Sequence, residues 1–201
     1  MTNIDLVKVG KNLLKSADTG EHVELQALWQ ERPVVLLFLR RFGCQVCRWM
    51  ASETSKIEAD LRASGVQLVG IGPEETGLKE FMEGGFFKGS LYIDEKKKTY
   101  KDLGFKRYSA LNVIPAALGK KVRDVIAKAN AEGIQGNFTG DLLQSGGMLI
   151  VAKGGEKVLL HFVQDSPGDY VRLEDIVKAV GVSANAQAGQ MPVCHDDVCT
   201  L

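Results

Sequence analysis

Val34-Val35-Leu36-Leu37-Phe38-Leu39-Arg40-Arg41-Phe42-Gly43-Cys44-Gln45-Val46-Cys47-Arg48-Trp49-Met50 is the stretch whose reading decides the fold. Its first half is a run of six apolar residues, the pattern of a strand buried on both faces. Two arginines and a glycine follow, then Cys44-x-x-Cys47. From Gln45 a helical pattern begins, with Trp49, Ile57 and Leu61 at inward positions, and it is expected to run to Ser64-Gly65. A dithiol at the start of a helix, delivered there by a core strand, is a redox arrangement.

The spacing has a physical logic. Residues three apart share a helix face, so the two sulfurs approach closely enough to bond. Cys44 falls at the helix N-terminus, where unpaired N–H groups and the helix dipole favour a thiolate. Arg40 and Arg41 precede it and Arg48 follows one turn on. Such surroundings lower a cysteine pKa from about 8.5 to roughly 3.5–7.5. Cys44 is therefore the expected nucleophile and Cys47 the resolving thiol. Two other readings compete: cysteines as small buried hydrophobes, and one half of a zinc site.

Working outward, the chain of 201 residues suits one domain with a substantial core. Hydrophobic content of 45% and charged content of 25% are those of an ordinary globular protein. Zero formal net charge gives no reason to expect nucleic acid or an anionic membrane as partner. The first residues lack the apolar core of a signal peptide, and no apolar run reaches the 18 or so residues that span a bilayer. Four cysteines in a chain this long do not form a disulfide scaffold, which points to the cytosol.

Upstream, Ile4 to Leu14 reads as a short amphipathic stretch, residues 19–25 as a turn and edge strand, and Leu25 to Glu31 as one or two helical turns. Downstream, Val66 to Ile71 reads as a second buried strand, 76–84 as a helix, Ser90 to Asp94 as a strand and Tyr100 to Gly104 as helix. This alternation marks a parallel sheet with crossovers. Residues 105–146 interrupt it: they include a helix from Lys120 to about Asn130 and a glycine-rich loop, Gly133 to Gly147, suited to covering the dithiol. A hairpin then joins Met148–Val151 to Val158–Val163 through Lys153-Gly154-Gly155-Glu156, and a last helix runs from Leu173 to Val180. His161 is expected to be a hydrogen-bonded sheet residue. Residues 1–182 thus form one domain and 183–201 a flexible tail ending Cys194-His195-Asp196-Asp197-Val198-Cys199.

The order of elements resembles the thioredoxin-like fold: a mixed central sheet flanked by helices, with an insertion before the C-terminal hairpin. Residues 40–49, Leu103-Gly104-Phe105-Lys106-Arg107-Tyr108, Pro115-Ala116-Ala117-Leu118-Gly119-Lys120, Gly140-Asp141-Leu142-Leu143-Gln144-Ser145-Gly146-Gly147, residues 157–163 and Ser166-Pro167-Gly168-Asp169-Tyr170-Val171 extend the likeness. Together they resemble the peroxiredoxin-like family that includes the prostamide/prostaglandin F synthases. Arg41 stands where ordinary peroxiredoxins carry Thr or Ser, and Ser145-Gly146-Gly147 where thioredoxins carry a cis-proline; glycines there would leave room beside the sulfurs.

The resemblance implies reduction of the 9,11-endoperoxide of prostaglandin H2, or of its ethanolamide, to the F2α diol. It implies catalysis by Cys44 and Cys47, with Arg41 or Arg48 stabilising the departing alkoxide. It implies a lipid endoperoxide substrate, no bound cofactor or metal, and electrons from NADPH through thioredoxin reductase and thioredoxin. A general thiol peroxidase, a thioredoxin-like redox sensor and a zinc protein using Cys44, Cys47, Cys194 and Cys199 remain the competing readings. Phe42, Phe86, Phe87 and Phe105 are read as core residues before lipid contacts.

Overall fold

The computed structural model describes residues 4–182; the tail expected over 183–201, with Cys194 and Cys199, lies outside them. In chain order the elements are α1 (Leu6–Gly10), β1 (Leu13–Ser16), β2 (His22–Glu24), β3 (Val34–Phe38), α2 (Gln45–Ser55), α3 (Glu58–Ala63), β4 (Gln67–Gly72) and α4 (Leu78–Glu83). They continue with β5 (Ser90–Ile93), α5 (Lys98–Asp102), α6 (Ala110–Ala117), α7 (Lys120–Ala131), β6 (Gly147–Val151), β7 (Val158–Val163) and α8 (Leu173–Val180). A 3-10 turn, Leu25–Trp29, lies between β2 and β3.

The strands form one sheet in the order β2-β1-β5-β4-β3-β6-β7. β3, β4 and β5 are parallel, while β6 and β7 and the β1–β2 edge run antiparallel. All five residues of β3 are buried, as its unbroken apolar run requires. Its alternate side chains enter two separate cores: Val35 and Leu37 meet α2, α3, α4, α7 and α8, whereas Val34, Leu36 and Phe38 meet α1, α5 and the 3-10 turn. This mixed sheet, flanked by helices and interrupted before the hairpin, is the thioredoxin-like architecture the sequence implied.

Three local expectations change. The helix expected to run from Gln45 to Ser64 breaks at Lys56-Ile57 into α2 and α3. Thr54 and Ser55 donate their hydroxyls back to the Met50 and Ala51 carbonyls, a local bond that bends helices. The amphipathic start is helical only to Gly10; Leu14 then enters β1, which bridges β2 and β5. In the insertion, α7 stands where expected, but α6 precedes it with Pro115 inside. Proline usually breaks a helix interior.

Phe42 and Phe105 are core: Phe42 packs on Phe81 and Phe105 on Phe38 and Tyr100. Phe86 and Phe87 are half-buried against the same core as Phe42. His161 bonds the Leu103 carbonyl through Nε2 at 3.0 Å. Gly147, the first residue of β6, lines a cavity beside Cys47, but the side-chain positions of both Gly146 and Gly147 are themselves filled. A Cβ at Gly146 would overlap the Phe38 carbonyl oxygen, and one at Gly147 would overlap that of Phe162. Close approach of neighbouring backbone requires glycine there. Gly146→Ala is accordingly expected to lower the unfolding free energy by about 1–3 kcal/mol in urea titration; an unchanged midpoint would contradict that tight packing.

Candidate active site: a buried dithiol under a strap

β3 ends at Phe38, and the chain turns through Arg40–Gly43 into α2. Cys44 is the N-cap of α2, with extended backbone (φ −70°, ψ 121°) and its Sγ accepting from the Cys47 backbone N–H at 3.3 Å. A sulfur here replaces the usual capping oxygen, so the orphan N–H of the first turn points at the nucleophile. Both cysteines are free thiols and buried, Cys44 5% and Cys47 2% exposed.

Their ionisations are pushed apart. The Cys47 thiol donating to the Cys44 sulfur lowers the Cys44 pKa to about 6, helped by Arg40, Arg41 and the Cys47 N–H against the opposing effect of burial. Burial, then the hydrogen bond to Cys44 and the charge on Cys44, raise Cys47 well above the ordinary thiol value. One sulfur is a thiolate at neutral pH while its partner keeps its proton.

The expected arginines take distinct places. Arg40 and Arg41 are both buried and both bear on Cys44. Arg40 Nε donates to the Gln144 carbonyl and Nη2 to that of Leu142, with Tyr108 facing its guanidinium at 5.8 Å. Arg41 Nη1 donates to the carbonyls of Asn137 and Thr139, while its buried Nε has no partner among the described residues. Arg48 is tied on several sides: it donates to the carbonyls of Phe42 and Gln135, lies 2.9 Å from Glu80 and faces the Phe86 ring at 5.0 Å. Arg40, which the sequence reading does not place among the catalytic residues, is thus a closer electrostatic partner of the thiolate than Arg48. Its position in the same Arg-Arg pair is the available signal.

The glycine-rich loop does cover the dithiol. Its residues 134–139 form a strap across the turn and the start of α2, held by Gln45 to Asn130 and to the Ile134 carbonyl, by Arg48 to Gln135, and by the Asn137 N–H to the Gly43 carbonyl at 2.7 Å. Gly136 lies so close that a Cβ would overlap the Gln45 backbone nitrogen. Beside Cys47, an apolar cavity with Arg40 on its wall opens between α2, the β6–β7 hairpin and residues 169–173.

A pH profile of alkylation checks this electrostatic account. The iodoacetamide rate at Cys44 is expected to rise with a midpoint near 6. Cys47→Ala removes the donor to the thiolate and should shift the midpoint upward. A midpoint at the ordinary thiol value of about 8.5 in the wild type would contradict it.

Comparison with known proteins shows what the chain as a whole is similar to. The family model of the AhpC/TSA antioxidant enzymes matches residues 52–166. The chain is similar in fold to a cysteine-to-serine mutant of peroxiredoxin 6 from Arenicola marina (TM-score 0.58, 14% identity, 90% of this chain and 72% of that one). It is also similar to peroxidoxin BcpB of Mycobacterium tuberculosis (TM-score 0.53, 17% identity, 84% and 88%). Full-length relatives are far more alike. Proteins named prostamide/prostaglandin F synthase are 76% identical in Salmo salar and 69% in Danio rerio, each over the whole of both chains. The Homo sapiens protein of that name is 58% identical over 98% of this chain and all of its own. With identity at that level over the whole length, on a peroxiredoxin-like scaffold, the chain belongs to the prostamide/prostaglandin F synthase family of oxidoreductases.

Proposed function

We propose that the protein reduces the endoperoxide of prostaglandin H2, or of its ethanolamide, to the corresponding F2α diol with the Cys44–Cys47 dithiol. The observation that carries this reading is the pair of buried free thiols within one helical turn, Cys44 at the N-cap of α2 with its sulfur accepting from the Cys47 N–H. Relatives bearing the prostamide/prostaglandin F synthase name support the substrate class.

The Cys44 thiolate attacks one endoperoxide oxygen. The O–O bond breaks, an S–O bond forms, and the second oxygen leaves as an alkoxide that takes a proton from solvent. Arg41, whose Nε–H is buried without a partner among the described residues, is the donor we assign to that alkoxide; a preorganised donor at developing charge lowers the barrier. The Cys47 sulfur then attacks the Cys44 sulfur, and its proton passes to the oxygen released from the S–O bond. Both oxygens end as hydroxyls and the dithiol ends as a disulfide, so two electrons have moved from sulfur to oxygen. Thioredoxin, recharged by NADPH through its reductase, returns the disulfide to the dithiol. Arg48 acts as a positioning residue, holding the turn and the strap.

A second reading, reduction of hydrogen peroxide or alkyl hydroperoxides, draws on the AhpC/TSA family match. Comparing turnover on hydrogen peroxide and prostaglandin H2 separates the two.

Coupled NADPH consumption with thioredoxin, thioredoxin reductase and prostaglandin H2 tests the proposal. Cys44→Ser is expected to reduce kcat by more than about 10³-fold. Arg41→Gln is expected to reduce it by about 100-fold with the fold intact. F2α formation by Cys44→Ser at the wild-type rate would overturn the mechanism.

A further inference from the structure

The cavity beside Cys47 is a narrow apolar slot, open to solvent at its mouth. Cys47, Met148, Phe162, Trp49, Tyr170 and Val171 are among its walls, with Arg40 beside Cys47, so an apolar chain seated there reaches Cys47. The carboxylates nearby are engaged: Glu53 pairs with Lys56, Asp169 with Lys121 and the N–H groups of Asp165 and Ser166, and Glu132 accepts from the Trp49 indole at 3.0 Å.

Lys128 differs. It is exposed, and its ammonium lies 5.3 Å from the Trp49 ring and 5.5 Å from the Tyr170 ring, which themselves pack edge to face. Its Nζ donates to the Tyr170 hydroxyl oxygen at 3.1 Å, which leaves the hydroxyl proton free to donate onward. Among the described residues no carboxylate stands within ion-pair distance of this ammonium. Two walls of an apolar slot therefore carry, on their solvent side, a hydroxyl donor and a cation that is not itself ion-paired among the described residues.

Building on the lipid reading of the same site, we propose that Lys128 and Tyr170 bind the carboxylate of a long-chain lipid acid whose hydrocarbon lies in this cavity. The pair then sets the preference between an acid and its neutral amide: the acid gains a charge-assisted contact that the amide lacks.

Equilibrium binding tests this without turnover. The probes are arachidonic acid and its ethanolamide, and the readout is quenching of Trp49; Trp29 is buried in the other core, across the sheet. Lys128→Gln is expected to weaken acid binding by about fivefold, the scale of one exposed charge contact, and to leave the ethanolamide unchanged. Val171→Phe, which fills the half-buried wall, should weaken both probes. Equal effects of Lys128→Gln on both probes, or none on either, would overturn the head-group assignment. Binding indifferent to Val171→Phe, or absent for both probes, would overturn the slot. Because these measurements need no endoperoxide chemistry, they stand or fall apart from the activity of Cys44.

Discussion

The hydrogen-bonded pair formed by Cys44 and Cys47 at the first turn of α2 is the interaction on which the remaining structure depends. It places the negative charge on one sulfur and the proton on the other. Burial alone would suppress a thiolate. The charge survives because a backbone N–H, a thiol and two arginines converge on it. Those arginines are themselves held by carbonyls of the insertion: Arg40 by Leu142 and Gln144, Arg41 by Asn137 and Thr139. Bonds to carbonyls orient a guanidinium without neutralising it, so its field remains available to the sulfur. Carboxylate partners at the same places would have weakened that field.

The scaffold supplies this geometry through β3. The strand is buried on both faces and paired on both edges, by β4 and β6, so the point where α2 begins is rigid. Tyr100 strengthens that end by donating its hydroxyl toward the Leu39 and Ile71 carbonyls, where β3 and β4 finish. A nucleophile on a rigid element keeps its geometry better than one on a loop. The cavity beside Cys47 is an apolar approach to that sulfur.

Much of this was legible in the sequence because the signals were local. The apolar run 34–39, the Cys-x-x-Cys spacing, the hairpin glycines and the bounds of α8 each follow from residues adjacent in the chain. What escaped depends on partners distant in sequence. β1 is short, and its strand character comes from β2 and β5. The break between α2 and α3 comes from two hydroxyls that bond backward. The division of labour among Arg40, Arg41 and Arg48 is set by carbonyls about 90 to 100 residues away, which no spacing rule reaches. Glycines at 146 and 147 read as open space; Gly147 does line the cavity beside Cys47, but both also serve close backbone approach, which a sequence does not show.

The central claim is that the dithiol is itself the two-electron donor to the endoperoxide. A single-turnover experiment tests it most directly: reduced protein, no thioredoxin and no NADPH, mixed with excess prostaglandin H2. Product F2α and remaining free thiols are counted together. The account predicts one equivalent of F2α per protein with the loss of the Cys44 and Cys47 thiols to a disulfide. F2α formed with both thiols intact, or thiols oxidised with no F2α, would contradict it.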